Sequence, residues 1–268
     1  MMKAIILASA ISLLMAINLS VAAATAENNF ALVEKSIAAQ DFKTAYQELD
    51  RLAKTGDAQA IYGLASLTAS GQGTNKDEKK ALQLFEQAAS KNYPLAHYAL
   101  GHAYLSGQLG LKADSNKGKN HLEKAAAQYD PAAIDLALLF FSEEQPNSQQ
   151  KGMKVLEPLI KKQNPQALYT KAMYDISLGM KNKNMTPLNA GISSISELAA
   201  KGYIPALMAA GNLMAGGIIV EQDLPEARKI FDALSKENVP NAKESLAEVN
   251  KMIAEQAKAP KTTSKTKK

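Results

Sequence analysis

Three histidines are the side chains in this sequence best suited to metal binding or acid–base catalysis: His97, His102 and His121. His97 and His102 are five residues apart, a spacing that places them on different faces of a helix. The chain has no cysteine that could complete a soft metal site with them. The sequence therefore predicts structural or surface roles for the histidines, with a metal or catalytic role as the alternative.

The other short motifs lack the companion residues that an active site would require. Ser148 and Lys151 match the S-x-x-K pattern of serine acylation, but its companion motifs are missing. The Gly-Gln-Gly segment at 71–73 reads as a loop between helices, whereas a phosphate cradle follows a strand. The carboxylates of Glu143 and Glu144 fall in a predicted loop. We therefore predict no enzyme activity, no catalytic residues, no metal site and no cofactor.

The net charge of +5 comes from the C-terminal end of the chain. Five lysines lie between Lys258 and Lys268, and the other 26 basic residues equal the 26 acidic ones in number. Arginine occurs only at Arg51 and Arg228, and lysines alternate with acids, unlike the basic face of a nucleic-acid-binding protein. We expect no nucleic-acid partner.

The N-terminal residues 1–26 are predicted to be a cleavable signal peptide. Lys3 precedes an apolar run from Ala4 to Ile17, and Ala24-Thr25-Ala26 forms an A-x-A cleavage site. The alternative is an uncleaved anchor, although the run is shorter than the roughly 20 residues of a membrane span. The absence of cysteine excludes a lipoprotein anchor and disulfides. A periplasmic or secreted bacterial location is expected.

Two columns of small residues recur through the sequence with the same irregular period. The first column is spaced by 36, 36, 35, 39 and 36 residues, and it consists of Ala60, Ala96, Ala132, Ala167, Ala206 and Ala242. The second is spaced by 36, 37, 34, 39 and 36 residues, and it consists of Ala45, Ala81, Gly118, Gly152, Gly191 and Ala227. Both columns lengthen at the same place, which indicates a genuine repeat.

Each repeat has the pattern of two helices. Pro94 suits the first position of a helix that continues to Ser106 with one apolar face, and glycines at 107 and 110 then end it. A second helix is expected from Lys117 to Gln128. Such a pair cannot bury its apolar face alone, so neighbouring pairs must stack. The predicted fold is all-α: a right-handed superhelical solenoid of antiparallel helix pairs.

The segment 93–107 (YPLAHYALGHAYLSG) resembles the first helix of a Sel-1-like repeat, a family in the tetratricopeptide superclass. The segment 80–89 (KALQLFEQAA) resembles its second helix, and 70–77 resembles the glycine loop with its acidic residue. The resemblance covers roughly residues 41–250. Around 142–146 and 180–187 the glycine loop is absent, and a longer loop is expected in the second of these places.

The resemblance and the flanking sequence together suggest a division of the chain. Residues 27–57 are predicted to be an N-terminal capping helix pair, and 58–257 to be an array of about five repeats plus a terminal helix. Residues 258–268 lack apolar periodicity and are expected to be a disordered, lysine-rich tail.

In arrays of this superclass the first helix of each repeat lines the concave face, and that face is expected to bind a partner. Tyrosine and methionine suit a peptide-binding groove, although the family favours tyrosine at the position of Tyr62, Tyr98 and Tyr169, so packing is the competing explanation. The predicted binding residues are Gln59, Tyr62, Ser66, Tyr98, His102, Tyr169, Met173 and Asn212, and the same face includes Ile134, Leu138 and Met208.

The resemblance implies an exported scaffold or adaptor that binds a protein or peptide in cell-envelope assembly, secretion or host interaction. One alternative is an enzyme that hydrolyses an envelope polymer or binds β-lactams, as is claimed for some cysteine-rich relatives. Another is a structural envelope component held by its basic tail. That tail could contact anionic polymers or lipid headgroups, or it could simply increase solubility.

Overall fold

The computed structural model describes residues 27–258 except 144 and 146, and every regular element in that part of the chain is an α-helix. The all-α prediction is therefore confirmed. The helices are α1 Glu27–Ala38, α2 Phe42–Ala53, α3 Ala58–Ser70, α4 Glu78–Ser90, α5 Pro94–Ser106, α6 Ser115–Ala126, α7 Asp130–Ser142, α8 Ser148–Lys161, α9 Pro165–Asn182, α10 Met185–Ala200, α11 Ile204–Gly216, α12 Leu224–Lys236 and α13 Ala242–Lys258.

Helix ends follow the capping residues of the sequence. The carboxylates of Asp77 and Asp114 accept hydrogen bonds from the backbone N–H groups three residues later, which starts α4 and α6. Pro94 occupies the first turn of α5, as its missing N–H allows. Gly107 ends α5 in the left-handed conformation, with φ of 69°.

The chain forms two compact units, one up to Ser142 and one from Glu143 onward. The N-terminal unit contains α1–α7 and the C-terminal unit contains α8–α13. In each unit, a helix packs mainly against the helices that precede and follow it in the chain. This is the local contact pattern of helical repeats.

The two small-residue columns lie where helices meet. Every alanine of the first column is completely buried, as are the alanines of the second column, and the three glycines of the second column are also buried. At the contact of α5 with α6, a Cβ atom on Gly101 would lie 3.3 Å from the carbonyl oxygen of Gly118. The repeat therefore arises because adjacent backbones approach too closely for larger side chains.

The predicted longer loop at 180–187 is wrong. Instead, α9 continues to Asn182 and α10 starts at Met185. Lys183 turns the chain with a left-handed backbone, and the Asn184 side chain caps α10 by accepting from the Thr186 N–H. Pro187 lies in the first turn of α10, where a backbone N–H has no helical acceptor.

Two predictions concern chain ends that lie outside the described residues. These are the signal peptide at 1–26 and the tail from 259 onward, while Lys258 is the last residue of α13. Helices α1 and α2 lie within residues 27–57, where the sequence predicted a capping helix pair. Among the described helices, none combines the length and the apolar character needed to span a membrane.

Candidate functional site

Tyr98 and His102, both predicted binding residues, meet the carboxylate of Asp135 in the N-terminal unit. The Tyr98 hydroxyl donates to Asp135 Oδ2 at 2.7 Å, and His102 Nε2 lies 3.0 Å from the same oxygen. The Tyr98 and His102 rings meet edge to face with centroids 4.5 Å apart. The three side chains therefore form one cluster that joins the first helices of two consecutive repeats.

The cluster follows from helix geometry. Tyr98 and His102 are four residues apart on α5, so their side chains are neighbours on one face. Asp135 lies on α7 between Ile134 and Leu136, both of which are buried in the core. Those two neighbours anchor the helix and leave Asp135 at its partly exposed edge.

The cluster is half-buried, with 37% of the His102 side chain and 31% of the Asp135 side chain exposed. Burial and the negative charge of Asp135 both raise the pKa of Tyr98, so its hydroxyl keeps the proton that it donates. The Tyr129 ring packs edge-on against Tyr98 at 5.0 Å, and burial and Asp135 raise its pKa too. Asp135 is thus a carboxylate held in one orientation by the Tyr98 hydroxyl and by His102 Nε2.

Tyr62 has a different environment, although it occupies the same register as Tyr98. Its ring lies 5.7 Å from that of Phe85 and 5.4 Å from that of Tyr93. Burial raises the pKa of Tyr62 to about 12. The Ser66 hydroxyl donates back to the Tyr62 carbonyl oxygen, and Gln59 is half-buried. These contacts favour the packing explanation for Tyr62.

The other predicted site residues lie in the C-terminal unit. The Tyr169 ring contacts Tyr203 at 5.8 Å, whereas Met173 and Asn212 are exposed. A shallow groove of about 380 Å³ in this unit lies between α10, α11 and the loop that follows α11, and none of the predicted residues lines it. Within the N-terminal unit, Ile134 is a core residue and so is unavailable for binding, whereas Leu138 is 49% exposed.

A second histidine cluster links α5 to α6 and was not anticipated from the sequence. His97 Nδ1 lies 3.0 Å from His121 Nδ1, and the Tyr104 ring stacks on His121. Burial lowers the pKa of both histidines, and for His121 the value falls to about 4. A neutral pair can share one N–H···N hydrogen bond, which explains how two histidines pack together here.

Sequence reasoning also missed Asp135, the residue that gives the first cluster its charge. One signal was present. Asp135 is the only charged residue in the otherwise apolar and small stretch from Pro131 to Ser142. A lone carboxylate in such a stretch must find hydrogen-bond donors, and these come from the preceding repeat. Among the described residues, no group of three or more His, Asp or Glu side chains is arranged to hold a metal ion.

Stacked helix pairs with small residues at their contacts define an α-helical repeat scaffold. The Sel1 repeat model matches residues 58–93 and 94–130. This chain contains Sel1 repeats and has the Sel1-repeat solenoid fold, as the sequence predicted. Sel1-repeat proteins generally serve as protein-interaction scaffolds.

Two solved structures share the fold. A protective antigen of uropathogenic Escherichia coli with an SLR fold has a TM-score of 0.66 and 18% identity, over 84% of this chain and 49% of that one. A Sel1 repeat protein from Oxalobacter formigenes has a TM-score of 0.62 and 19% identity, over 84% of this chain and 98% of that one.

Similarity to curated proteins is partial. Chitin synthase regulator SKT5 of Saccharomyces cerevisiae is 34% identical over 89 residues, which are 32% of this chain and 13% of the yeast protein. An uncharacterized protein of Neisseria meningitidis serogroup B is 27% identical over 222 residues, which are 82% of this chain and 44% of that protein. The chain thus spans less than half the length of either relative.

Proposed function

We propose that this chain is a non-enzymatic scaffold that binds a protein partner on the first helices of its N-terminal unit. We call the binding area the first-helix surface, and define it by Tyr98, His102, Asp135 and Leu138. The observation that carries the proposal is the half-exposed Tyr98–His102–Asp135 cluster, in which two consecutive repeats hold a carboxylate at the surface. A packing role alone would not require that charge.

An exposed apolar side chain lies beside the cluster. Leu138 is 49% exposed and follows Asp135 by three residues, so both lie on one face of α7. A polar anchor next to an apolar contact is typical of protein-binding surfaces. The yeast relative is named as a regulator of chitin synthase.

The proposal is tested by photocrosslinking with p-benzoylphenylalanine in place of Leu138. We expect a discrete crosslinked partner, and no such product when the crosslinker replaces the exposed Glu86 on α4. Adding His102→Ala should weaken capture about tenfold, because the substitution removes one donor to Asp135 and one ring of the cluster. Adding Tyr98→Phe as well should weaken it further.

Helicity and thermal unfolding are measured on each variant, since loss of fold would also reduce capture. His102→Ala is tested first because 37% of the His102 side chain is exposed, whereas the Tyr98 ring also packs against Tyr129. Full capture by the double variant, together with loss of capture when residues 258–268 are deleted, would assign the interaction to the tail instead.

We also propose that the chain is exported to the bacterial periplasm or beyond, where it would act in envelope assembly, secretion or host interaction. The support is the sequence of residues 1–26, with its charged start, apolar run and A-x-A site. We expect N-terminal sequencing of protein from the envelope fraction to begin at Glu27. Material that begins at Met1 would show an uncleaved anchor.

A further inference from the structure

The lysines of the three repeats in the N-terminal unit all lie outside the first helices of those repeats. The first helices of its three repeats, α3, α5 and α7, contain no lysine or arginine, and their only acids are Asp130 and Asp135. Basic residues lie on the other helices of the unit, namely Lys35 on α1, Lys43 and Arg51 on α2, Lys79 and Lys80 on α4, and Lys117, Lys119 and Lys124 on α6. The first-helix surface therefore contains the Asp135 carboxylate and the His102 imidazole but no lysine or arginine.

The Asp135 carboxylate is oriented for an external ligand. Both donors within the protein, the Tyr98 hydroxyl and His102 Nε2, bind Oδ2. Oδ1 is left to accept another hydrogen bond. Because the side chain is only 31% exposed, an ion pair formed here is less screened by water than one on an open surface.

The rings around Asp135 suit the same kind of ligand. Tyr98, His102 and Tyr129 lie edge to face with centroid distances of 4.5 and 5.0 Å. Aromatic faces attract cations, and a guanidinium group can stack on a ring while it donates to a carboxylate. An arginine side chain combines both interactions, and a lysine side chain can form the ion pair.

The spacing between Asp135 and Leu138 fits an extended ligand. Side chains three residues apart on a helix are about 5–6 Å apart at Cβ. Alternate side chains of an extended peptide point the same way and are about 6–7 Å apart. An extended segment can therefore place a cationic side chain at Asp135 and an apolar side chain, two residues along, on Leu138.

We propose that the first-helix surface binds an extended basic segment of a protein partner, with an arginine or lysine side chain on Asp135 and an apolar side chain on Leu138. This inference rests on the proposed function and specifies its partner. Charge complementarity supports it, because the surface supplies the carboxylate and contains no lysine or arginine that would pair with it.

The experiment uses the full chain and an array of hexapeptides, acetylated and amidated, in which each position is varied. We expect selection of arginine or lysine with an apolar residue two positions away, and weaker binding at higher salt. In the best peptide, citrulline in place of arginine should reduce affinity about tenfold. Asp135→Asn should cause a similar loss, because asparagine keeps an acceptor for Tyr98 and removes the charge.

The matched control is Asp50→Asn on α2, where the carboxylate pairs with Lys54, the residue that follows the helix. This variant should bind the peptide as the unchanged chain does, and Asp135→Asn should keep its helicity and melting temperature. For the citrulline peptide, Asp135→Asn should cause no further loss, since the ion pair is already absent.

Different results would contradict the scaffold function and the proposal of a basic ligand segment. Peptides that lose affinity with Leu138→Ser but not with Asp135→Asn would overturn the cation proposal and leave the binding surface in place. Peptides insensitive to both substitutions would bind elsewhere and would count against both proposals. If no basic peptide binds, the cation proposal is wrong, while a crosslinked partner at position 138 would still support the scaffold function.

Discussion

Gly101→Leu is expected to lower the free energy of unfolding of the N-terminal unit by about 3 kcal/mol, because overpacking at a close helix contact forces backbone shifts. A Cβ atom at this position would lie 2.8 Å from Leu122 Cδ2 and 3.3 Å from the Gly118 carbonyl oxygen. Leu122 is completely buried and cannot move aside into solvent. Urea unfolding measures the loss, and faster amide hydrogen exchange in α5 and α6 would locate it.

Gly216→Leu is the matched control in the C-terminal unit. Gly216 is the last residue of α11, and a Cβ atom there would meet nothing within 4 Å. We expect a change within about 0.5 kcal/mol. If Gly101→Leu leaves the urea midpoint unchanged, the contact between α5 and α6 is looser than described.

Acidification from pH 6.5 to 4 is expected to destabilise the α5–α6 pair through His97 and His121. Burial, the neighbouring His97 and the positive charge of Lys124 lower the pKa of His121 to about 4, whereas an unfolded histidine has a pKa near 6.5. The unfolded state therefore binds more protons in this window, and stability is lost as the pH falls. Because His121 is partly exposed, we expect a loss of about 1 to 2 kcal/mol.

His121→Gln should remove much of this pH dependence, since glutamine can still hydrogen-bond to His97 but does not titrate. Carboxylates that titrate in the same window affect both proteins, so the relevant quantity is the difference between the two profiles. Amide exchange in α5 and α6 at pH 7 and pH 4.5 provides the measurement. Parallel profiles for the two proteins would mean that the histidine pair does not govern the acid response.

The helix pairs could be predicted because the small residues at their contacts are required by backbone proximity. Ala60 and Ala96 are fully buried at equivalent places in successive repeats, so sequence spacing and structure agree. The segment at 180–187 could not be predicted in the same way. Its turn depends on Lys183 with φ of 52°, a conformation that lysine rarely adopts and that no sequence pattern signals.

The candidate site was only partly predictable, because register fixes which face a residue occupies and not what it contacts there. Tyr62 and Tyr98 share a register, but their partners in the following repeat differ. The position that holds Asp135 opposite Tyr98 corresponds to Ala99 opposite Tyr62. Tyr98 therefore forms a polar cluster, and Tyr62 packs against Phe85 and Tyr93.

The lack of lysine and arginine in α3, α5 and α7 also determines how reagents reach the N-terminal unit. Amine-reactive coupling to a sensor chip can attach these repeats only through second helices and loops, so the first-helix surface remains unmodified. Trypsin likewise has no cleavage site within the three helices. Each of them would leave a tryptic digest as part of a long, apolar peptide, and mass spectrometry of a crosslink at position 138 would need a protease with different specificity.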